Sequence, residues 1–327
     1  MASRDRRFLW LLMLTIQIAW SWQHTIAFDY ILADLSRCIV EKPDILIWVQ
    51  GRATSAQQRS MIRETFSNSM MWPGKIKVMT IFILGVSPKD SSLHQSRLEY
   101  EFEMYNDIVQ ADFIEAYTNQ TYKLMTAINY ISDHCKTAKL ILRIDDDIIF
   151  HPRLLLEKLL EALTKRTQAK AVLTLETFPP KLIACHLIDD FDVWRLKDHP
   201  KHFNAVDDSV LPGITRYPPF CAGFFVAMSG DVPRLLQPHI AKNKPFWMDD
   251  RYMGVLQKYA SIRNITINDI LDFGYRTLKN RDMADILEQR FLVRHLPGKQ
   301  KAHIWQLFQY LSLTLLGLKQ NFEPIHS

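Results

Sequence analysis

Short runs of apolar residues alternate with longer amphipathic stretches through the first half of the chain. Apolar runs rich in Ile, Val and Leu predict strands, and apolar residues that recur at helical spacing predict helices. The predicted strands cover residues 44–50, 75–84, 108–113, 140–144 and 171–175, and the predicted helices cover residues 59–66, 95–105, 121–135 and a stretch that begins at Pro152. Strands that alternate with helices favour an α/β fold with a mainly parallel mixed sheet flanked by helices.

The second half of the chain shows neither the apolar runs typical of strands nor the spacing typical of helices. Beyond residue 180 the sequence is richer in proline, aromatic and charged residues, as expected where loops carry recognition. An apolar stretch at residues 304–318 is predicted to pack as a helix on the core. We therefore expect one α/β domain with a loop-rich C-terminal half.

A cationic flank and an apolar run open the chain. Three arginines precede an apolar stretch from Phe8 to Trp20, which extends, with breaks, to Phe28. This pattern is typical of a signal peptide or an uncleaved signal-anchor, and the lack of a clear small-x-small cleavage site favours the anchor. Positive charges before a span stay in the cytosol, so the predicted organisation is a cytosolic tail and anchor at residues 1–28, a short stem at 29–43 and a lumenal domain at 44–327.

Composition narrows the classes of function. The net charge of +5 is small for 327 residues and the basic residues are scattered, which argues against nucleic-acid binding. Asn119 and Asn264 each begin an Asn-x-Thr glycosylation triplet. The four cysteines can form up to two disulfides in any of three pairings, and they are Cys38, Cys135, Cys185 and Cys221. These features agree with a domain in the secretory lumen, although four cysteines are equally ordinary in a cytosolic enzyme.

Three consecutive carboxylates follow one of the predicted strands. Asp145, Asp146 and Asp147 lie between the apolar run 140–144 and the helix that begins at Pro152. Three acids at a strand end repel one another, so a cation is expected to compensate them, and carboxylate oxygens suit Mg²⁺ or Mn²⁺. Ligands of open α/β sheets bind at the carboxyl ends of the strands, where this triplet lies. A solvated acidic turn would explain the triplet equally well if it stood alone.

Further segments occur in an order that is typical of one family. They are Arg59–Phe66, Asp107–Lys123, the acid triplet, Arg216–Gly223, Asp249–Gly254, and His295 with Pro297 and Trp305. The first resembles R-x-x-I-R-x-T-W, the second D-I-I-Q-x-D-F…Y-x-N-L-T-x-K, the fourth Y-P-x-Y-C-x-G and the fifth E-D-V-Y-x-G. Together they resemble the β1,3-galactosyltransferase and β1,3-N-acetylglucosaminyltransferase family of Golgi enzymes, over about residues 45–305.

The resemblance implies a fold, a location and a reaction. The fold would be of the GT-A type, and the protein would be a type II Golgi membrane protein with its catalytic domain in the lumen. A UDP-sugar would be the donor, a glycan on a glycoprotein or glycolipid the acceptor, and Mn²⁺ or Mg²⁺ the cofactor. The sugar would be transferred with inversion to a 3-hydroxyl, forming a β1,3 linkage. Galactose is favoured on family grounds alone, and the acceptor is left open.

The resemblance also assigns roles to individual residues. Asp250 takes the position of the catalytic base, and Asp249 replaces the family's Glu beside it. The expected metal ligands are Asp147, Asp145 and His295, and the expected donor-binding residues include Asp145, Asp146 and Gly223. Phosphate recognition uses Arg and Lys, so Arg59, Arg63 and Lys123 are further donor-binding candidates, although each cation alone is more typical of a solvated surface charge. The chemistry fits, because a diphosphate leaving group needs a cation to neutralise its developing charge and because adjacent carboxylates can raise each other's pKa.

Two departures from the family pattern leave an alternative open. Arg251 stands where the family has Val and could pair with Asp250 and lower its pKa, and Phe66 replaces a Trp. A catalytically inactive relative, acting as a Golgi chaperone or binding protein, is therefore the alternative to an active transferase. A Mg²⁺-dependent phosphohydrolase is a weaker rival, since the chain shows no evident nucleophile or Gly-rich phosphate loop.

Overall fold

The computed structural model describes residues 28–88, 92–202 and 204–272, together with the backbone of residues 293–295. The signal-anchor expected at residues 1–28, apart from Phe28, and the helix expected at residues 304–318 lie outside the described residues, as do Pro297 and Trp305. Within the described ranges, no helix combines the length and the apolarity needed to cross a membrane.

An eight-stranded mixed sheet forms the centre of the domain, in the order β1-β4-β3-β2-β5-β8-β7-β9. Strands β2 to β5 are parallel neighbours, β5, β8 and β7 are antiparallel neighbours, and β9 pairs in parallel with β7. The strands are β1 (Tyr30–Leu32), β2 (Ile45–Gln50), β3 (Val78–Val86), β4 (Ile108–Ile114), β5 (Leu140–Asp145), β7 (Leu182–Ile188), β8 (Phe220–Ser229) and β9 (Arg263–Thr266). The predicted α/β class with a mainly parallel mixed sheet is thus confirmed.

A second, three-stranded sheet lies next to the acid triplet. It has the order β10-β11-β6, with β6 (Ile148–Phe150), β10 (Leu271–Asp272) and β11 (Val293–His295). Because β6 begins directly after Asp147, this sheet brings the chain near residue 295 back to the end of β5.

Helices cover both faces of the large sheet. They are α1 (Arg37–Glu41), α2 (Ala56–Glu64), α3 (Ser92–Tyr105), α4 (Gln120–His134), α5 (Pro152–Thr167), α6 (Val232–Ile240) and α7 (Asp249–Ala260). Every residue of β2 is buried, and alternate side chains enter two different cores. Ile47 and Val49 join the core under α2 and α5, whereas Leu46 and Trp48 join the core under α4, α6 and α7. This two-sided burial explains why the central strands read as continuous apolar runs.

The strand predicted at residues 171–175 is wrong. After α5, Gln168 adopts a left-handed conformation with φ of 55°, and the following segment wraps around the helix end. Thr164 Oγ1 accepts a hydrogen bond from the Leu173 amide at 2.9 Å, and Val172 is 73% exposed. The backbone bonds that a strand would need are therefore partly taken by the helix cap.

The segment expected to be a stem, residues 29–43, is part of the folded domain. Its strand β1 pairs antiparallel with the edge strand β4. Its helix α1 carries Cys38, which is disulfide-bonded to Cys135 at the end of α4. The second disulfide joins Cys185 of β7 to Cys221 of β8, so the structure selects one of the three pairings that the sequence left open.

Candidate active site

The acid triplet and the acid pair line the same cleft. β5 ends at Asp145, which is the register partner of Gln50 at the end of the parallel strand β2. The cleft at these carboxyl ends has a volume of about 510 Å³. Its lining comes from the strand ends, the start of α4, the middle of β8 and the start of α7, and includes Gln50, Gly51, Arg52, Tyr117, Gln120, Lys123, Arg143, Asp145, Asp146, Asp147, Ala222, Gly223, Phe224, Asp249 and Asp250. The cleft thus lies at the strand ends, where ligands of open α/β sheets are expected.

Asp249 is held by a buried arginine that the sequence reasoning did not single out. Arg143 lies in β5, is 1% exposed, and forms an ion pair with Asp249 through Nη2. The same nitrogen donates to Gln50 Oε1 at 3.2 Å. A lone cation in the apolar run directly before the acid triplet was the signal in the sequence, because a buried charge requires a partner of opposite sign.

Asp250 lies in a different electrostatic setting. It occupies the first turn of α7 beside Asp249. Burial, and after it the neighbouring Asp249 charge, raise its pKa, while Arg251 and Arg143 offset part of this rise, and the resulting pKa is about 6. The side chain keeps 26% of its exposure, enough to contact a ligand in the cleft. A carboxylate with a pKa near neutrality and an open face has the properties of a general base.

Arg251 does not neutralise Asp250. Its Nη1 lies 4.0 Å from Asp250 Oδ1, and the guanidinium is surrounded by the rings of Phe191, Tyr217 and Phe220. The pKa-lowering effect of this cation is smaller than the combined effect of burial and Asp249, which is why the pKa of Asp250 stays raised. The departure from Val at this position therefore leaves the proposed base intact.

Gly223 packs closely against a neighbouring side chain. A Cβ built there would lie 3.1 Å from Nη1 of Arg143, closer than most Cβ contacts. Gly223 thus clears space for the buried guanidinium, and it lines the cleft as the resemblance implied.

Lys123 reaches the cleft from α4. Its ammonium group donates to the carbonyl of Gly51 and lies 3.2 Å from Glu115. The side chain is buried, so it fixes the turn after β2 and places a positive charge at the cleft wall. This position is compatible with the expected donor-side role.

Arg59 and Arg63 lie away from the triplet. Arg59 pairs with Glu101 at 2.6 Å and donates to the carbonyls of Arg52 and Ala53. Arg63 pairs with Glu101 and with Asp107. Their donors are taken by these partners, and neither lines the cleft. The structure therefore does not bring them to the cleft: they hold the loop after β2 and join α2 to α3, and direct donor binding by either arginine stays a prediction.

Two of the three expected metal ligands converge on the cleft. Asp145 ends β5 and Asp147 follows in the turn before β6, so both supply hard oxygen donors of the kind that Mn²⁺ and Mg²⁺ prefer. The backbone of His295 pairs with Ile148, the residue after Asp147, while its side chain lies outside the described residues. No group of three or more His, Cys, Asp or Glu side chains in the described part of the chain is arranged as a complete metal site. The donor set fits a divalent cation bound by the two aspartates with further ligands.

The two glycosylation triplets differ in their surroundings. Asn119 precedes α4 and donates through Nδ2 to the Ile114 carbonyl at 2.8 Å. Asn264 lies on the edge strand β9, and its Oδ1 is buried with no hydrogen bond to the described residues. Glycosylation at either residue stays a prediction.

Fold and site together define an α/β domain whose cleft joins an acid triplet at a strand end to a pair of aspartates at a helix start. The Galactosyltransferase family model matches residues 57–268, more than half of the chain. The chain therefore belongs to the galactosyltransferase family of hexosyltransferases.

Curated relatives extend the match beyond these residues. The chain is 29% identical over 287 residues to the UDP-GalNAc:beta-1,3-N-acetylgalactosaminyltransferase 1 of Mus musculus, covering 86% of this chain and 78% of the relative. It is 25% identical over 279 residues to Beta-1,3-galactosyltransferase 1 of Mus musculus, covering 85% of this chain and 78% of the relative. Beta-1,3-galactosyltransferase 2 of Homo sapiens matches over 70% of this chain and half of its own length, at 25% identity.

Similarity to solved structures is more distant. The apo structure of the bifunctional glycosyltransferase WbbM is 11% identical, with a TM-score of 0.40 over 78% of this chain and 46% of that chain. The mannosyltransferase PcManGT from Pyrobaculum calidifontis, in complex with GDP-Man and Mn²⁺, is 15% identical, with a TM-score of 0.37 over 95% of this chain and 73% of that chain. Scores below 0.5 add nothing to the assignment.

Proposed function

We propose that this protein transfers a hexose, with galactose favoured, from a UDP-sugar to the 3-hydroxyl of an acceptor glycan, forming a β1,3 linkage with inversion. The observation that carries the proposal is the meeting of Asp145 and Asp147 with Asp250 in one cleft, where the pKa of Asp250 is raised to about 6. The acid triplet suits a cation-bound diphosphate, and the raised pKa suits a base that acts near neutral pH.

In the proposed reaction Asp250 accepts the proton of the acceptor hydroxyl. The hydroxyl oxygen then forms a bond to the anomeric carbon while the bond from that carbon to the diphosphate oxygen breaks, and its electron pair leaves with UDP. Attack from the side opposite the leaving group inverts the anomeric configuration. Arg143 keeps Asp249 ion-paired, so Asp250 is the carboxylate that remains available as the base.

Asp145 and Asp147 would hold the divalent cation, with His295 as the third protein ligand that the family resemblance implies. When bound, Mn²⁺ or Mg²⁺ would neutralise the charge that develops on the diphosphate. Lys123, which is bound to the Gly51 carbonyl at the cleft wall, adds positive charge on the same side.

UDP release tests the proposal directly. We expect chelator-sensitive release with one of UDP-galactose, UDP-GalNAc or UDP-GlcNAc in the presence of Mn²⁺ and a panel of β-linked acceptors. Asp147→Ala should abolish the metal-dependent release, and Asp250→Asn should still bind UDP and Mn²⁺ but turn over about 10²- to 10⁴-fold more slowly. The exposed acid Asp269, which pairs with Arg166 outside the cleft, provides the control variant Asp269→Asn. Full activity of either cleft variant would contradict its assigned role.

Transfer of N-acetylgalactosamine is the second candidate. It is supported by the 29% identity, over 86% of this chain, to the mouse UDP-GalNAc enzyme. Galactose and N-acetylgalactosamine differ by an acetamido group, and the shape of the sugar pocket decides between them. Comparison of kcat/KM for the two donors at a fixed acceptor separates the candidates.

We further propose that residues 1–28 anchor the protein as a type II protein of the Golgi membrane, with the catalytic domain in the lumen. The support is the cationic flank and apolar run of the sequence, the sequons at Asn119 and Asn264, and the two disulfides, which suit an oxidising compartment. Protease protection of the domain in sealed microsomes, with loss of protection on detergent addition, tests the topology.

A further inference from the structure

The guanidinium group of Arg251 lies in an aromatic cage behind the proposed base. Arg251 is only 8% exposed. Its Cζ lies 4.5 Å from the ring centroid of Phe191, 5.5 Å from that of Tyr217 and 5.4 Å from that of Phe220. A buried guanidinium with three rings around it is held by cation–π attraction as well as by packing. Its Nε makes no hydrogen bond to the described residues, and its Nη1 donates to Met248 Sδ and Asn204 Oδ1.

Two of the three rings come from one segment, which is held together by its own hydrogen bonds. The segment 189–217 connects β7 to β8 and contains Phe191 and Tyr217. Arg195 ties it together by donating to the carbonyls of Asp207, Val210, Leu211 and Ile214. Because Arg251 is the first-turn residue of α7 and also approaches Asn204 Oδ1 at 3.4 Å, it joins this segment to the helix that carries the acid pair.

The cage also fixes how far the cation lies from Asp250. The 4.0 Å separation between Arg251 Nη1 and Asp250 Oδ1 is at the outer limit of an ion pair, whereas Arg143 contacts Asp249 directly. The other charged or titratable groups that face Asp250 are Asp249 on the same helix, Arg143 on β5 and Tyr217 before β8, together with the acid triplet across the cleft. The two aspartates therefore differ: Asp249 is closely paired with Arg143, and Asp250 is weakly paired with Arg251.

We infer that Arg251 is a positioning residue with two tasks: it docks the segment 189–217 on α7, and it holds a positive charge at a fixed distance from Asp250. At that distance the charge limits the basicity of Asp250 without forming the close pair that would disable it. The assignment of Asp250 as the base rests on the proposed function, but the caged ion pair does not.

Unfolding measurements test the inference without any substrate. The quantity measured is the difference in unfolding free energy between the protein and its Asp250→Asn variant, from about pH 4 to about pH 8. This difference changes with pH and reaches a constant value, the plateau, once Asp250 is fully ionised in the folded state. In the Arg251→Met background the charge that favours ionisation is gone, so this plateau should begin about one pH unit higher. Arg251→Lys keeps the charge and should restore most of the shift.

Two further variants complete the design. Arg216→Met removes an exposed cation from the same segment, one that pairs with Asp190 and Asp192, and it should leave the plateau in place. Phe191→Leu removes the nearest ring and lets the guanidinium approach Asp250, so the plateau should begin at a lower pH. Hydrogen exchange in residues 189–217 should quicken in Arg251→Met and stay unchanged in Arg216→Met.

The outcomes distinguish this inference from the proposed function. A plateau that does not move in folded Arg251→Met overturns the inference. If Arg251→Met fails to fold, an unmoved plateau in Phe191→Leu overturns it instead. A plateau that moves as expected in a protein with no transferase activity on any donor supports the caged pair and contradicts the proposed function.

Discussion

Two neighbouring aspartates at the start of α7 have the same side chain but different surroundings. Arg143 is in direct contact with Asp249, so that carboxylate is compensated in its buried position. Within the described part of the chain the ion-pair partner of Asp250 is Arg251, held 4.0 Å away, and burial together with Asp249 outweighs the nearby cations, so that the pKa of Asp250 is raised to about 6. Different surroundings of neighbouring acids allow an active site to divide roles between them.

Asp250→Asn should stabilise the protein at neutral pH. The carboxyl of Asp250 ionises with its ordinary pKa of 3.8 when unfolded and of about 6 when folded, so the folded protein loses stability as pH rises between these values. Above about pH 6 the loss is complete and amounts to about 3 kcal/mol, the equivalent of roughly two pKa units. Thermal unfolding at about pH 7.5 and about pH 4 should show a higher Tm for the variant at the upper pH only. Equal Tm values at the upper pH would contradict the desolvated carboxylate.

The same group sets the acid limb of the pH–rate profile. A base must be ionised to accept a proton, so kcat/KM for transfer should fall about tenfold per pH unit below about pH 6. The measurement is the initial rate of UDP release at subsaturating donor in buffers of constant ionic strength. A limb near the ordinary Asp value would show that a different, solvated group is the base.

Arg143→Met should destabilise the protein more than the same substitution of an exposed arginine does. It leaves Asp249, whose side chain is 17% exposed, without its ion-pair partner, at a cost of about 3 kcal/mol. The double variant with Asp249→Asn should recover part of that loss, because the uncompensated charge is gone. Urea unfolding of the single and double variants gives the coupling between the two residues. Additive effects would mean that the ion pair contributes nothing.

At the scale of elements, the sequence predicts what is periodic and local. Strands β2, β4 and β5 and helices α3, α4 and α5 follow from apolar runs and helical spacing, because two-sided burial of parallel strands leaves a clear pattern. The segment 171–175 has the same apolar pattern, yet the cap at Gln168 and Thr164 diverts it. β7, β8 and β9 pair across long separations, and only tertiary contacts reveal them.

Site residues that belong to a recognisable motif could be predicted from the sequence. Residues whose role depends on which element packs against them could not. The triplet is marked by its residue types directly after an apolar run, and the acid pair by its resemblance to the family's E-D-V-Y-x-G segment. Arg59 and Arg63 look alike in the sequence as cations, but their guanidinium groups are directed to Glu101 and Asp107. Whether a cation faces a cleft or a neighbouring helix depends on which helix packs against it, and a single sequence does not contain that information.

The ion pairs between α2 and α3 give a prediction at this scale. Glu101→Gln leaves the guanidinium groups of Arg59 and Arg63 short of a partner, so we expect a loss of about 3–5 kcal/mol in unfolding free energy. Burial opposes ionisation of Glu101, but Arg59 and Arg63 outweigh it and hold its pKa below the ordinary 4.5. The stabilisation is therefore present at neutral pH and fades as pH falls below about 4.5.

Chemical denaturation of Glu101→Gln at neutral and acidic pH checks this expectation. Glu99→Gln, on the exposed side of the same helix, is the matched control and should change stability by less than about 0.5 kcal/mol. Donor KM should be unaffected in Glu101→Gln, since the network lies outside the cleft. A specific rise in donor KM with unchanged stability would restore the donor-binding role of the two arginines.

For the molecule as a whole, the N-terminal segment closes one edge of the sheet. Without β1, the strand β4 would present an open edge, which is a site for unwanted pairing. Arg37 donates to the carbonyls of Thr80 and Asn106, and Tyr130 donates to the carbonyl of Asp34 at 2.6 Å. Residues 29–43 are too short and too irregular for their sequence to show these contacts, because their partners lie far away along the chain.

A protein that begins at Asp44 should therefore be much less stable than one that begins at Phe28. It lacks β1 and the Cys38–Cys135 disulfide, whose partners are 97 residues apart. Closing a loop of that length contributes about 4–5 kcal/mol in the chain-entropy estimate. We expect a Tm lower by more than 10 °C, on the order of 2–4 °C per kcal/mol for a domain of this size.

Cys135 should also become reactive towards a thiol reagent under native conditions, while Cys185 and Cys221 stay protected. A Cys38→Ser and Cys135→Ser double variant of the longer protein separates the disulfide from the strand, because it keeps β1 and should lose only part of the stability. Equal Tm values for the two lengths would mean that the segment is a linker after all, and that β4 tolerates an open edge.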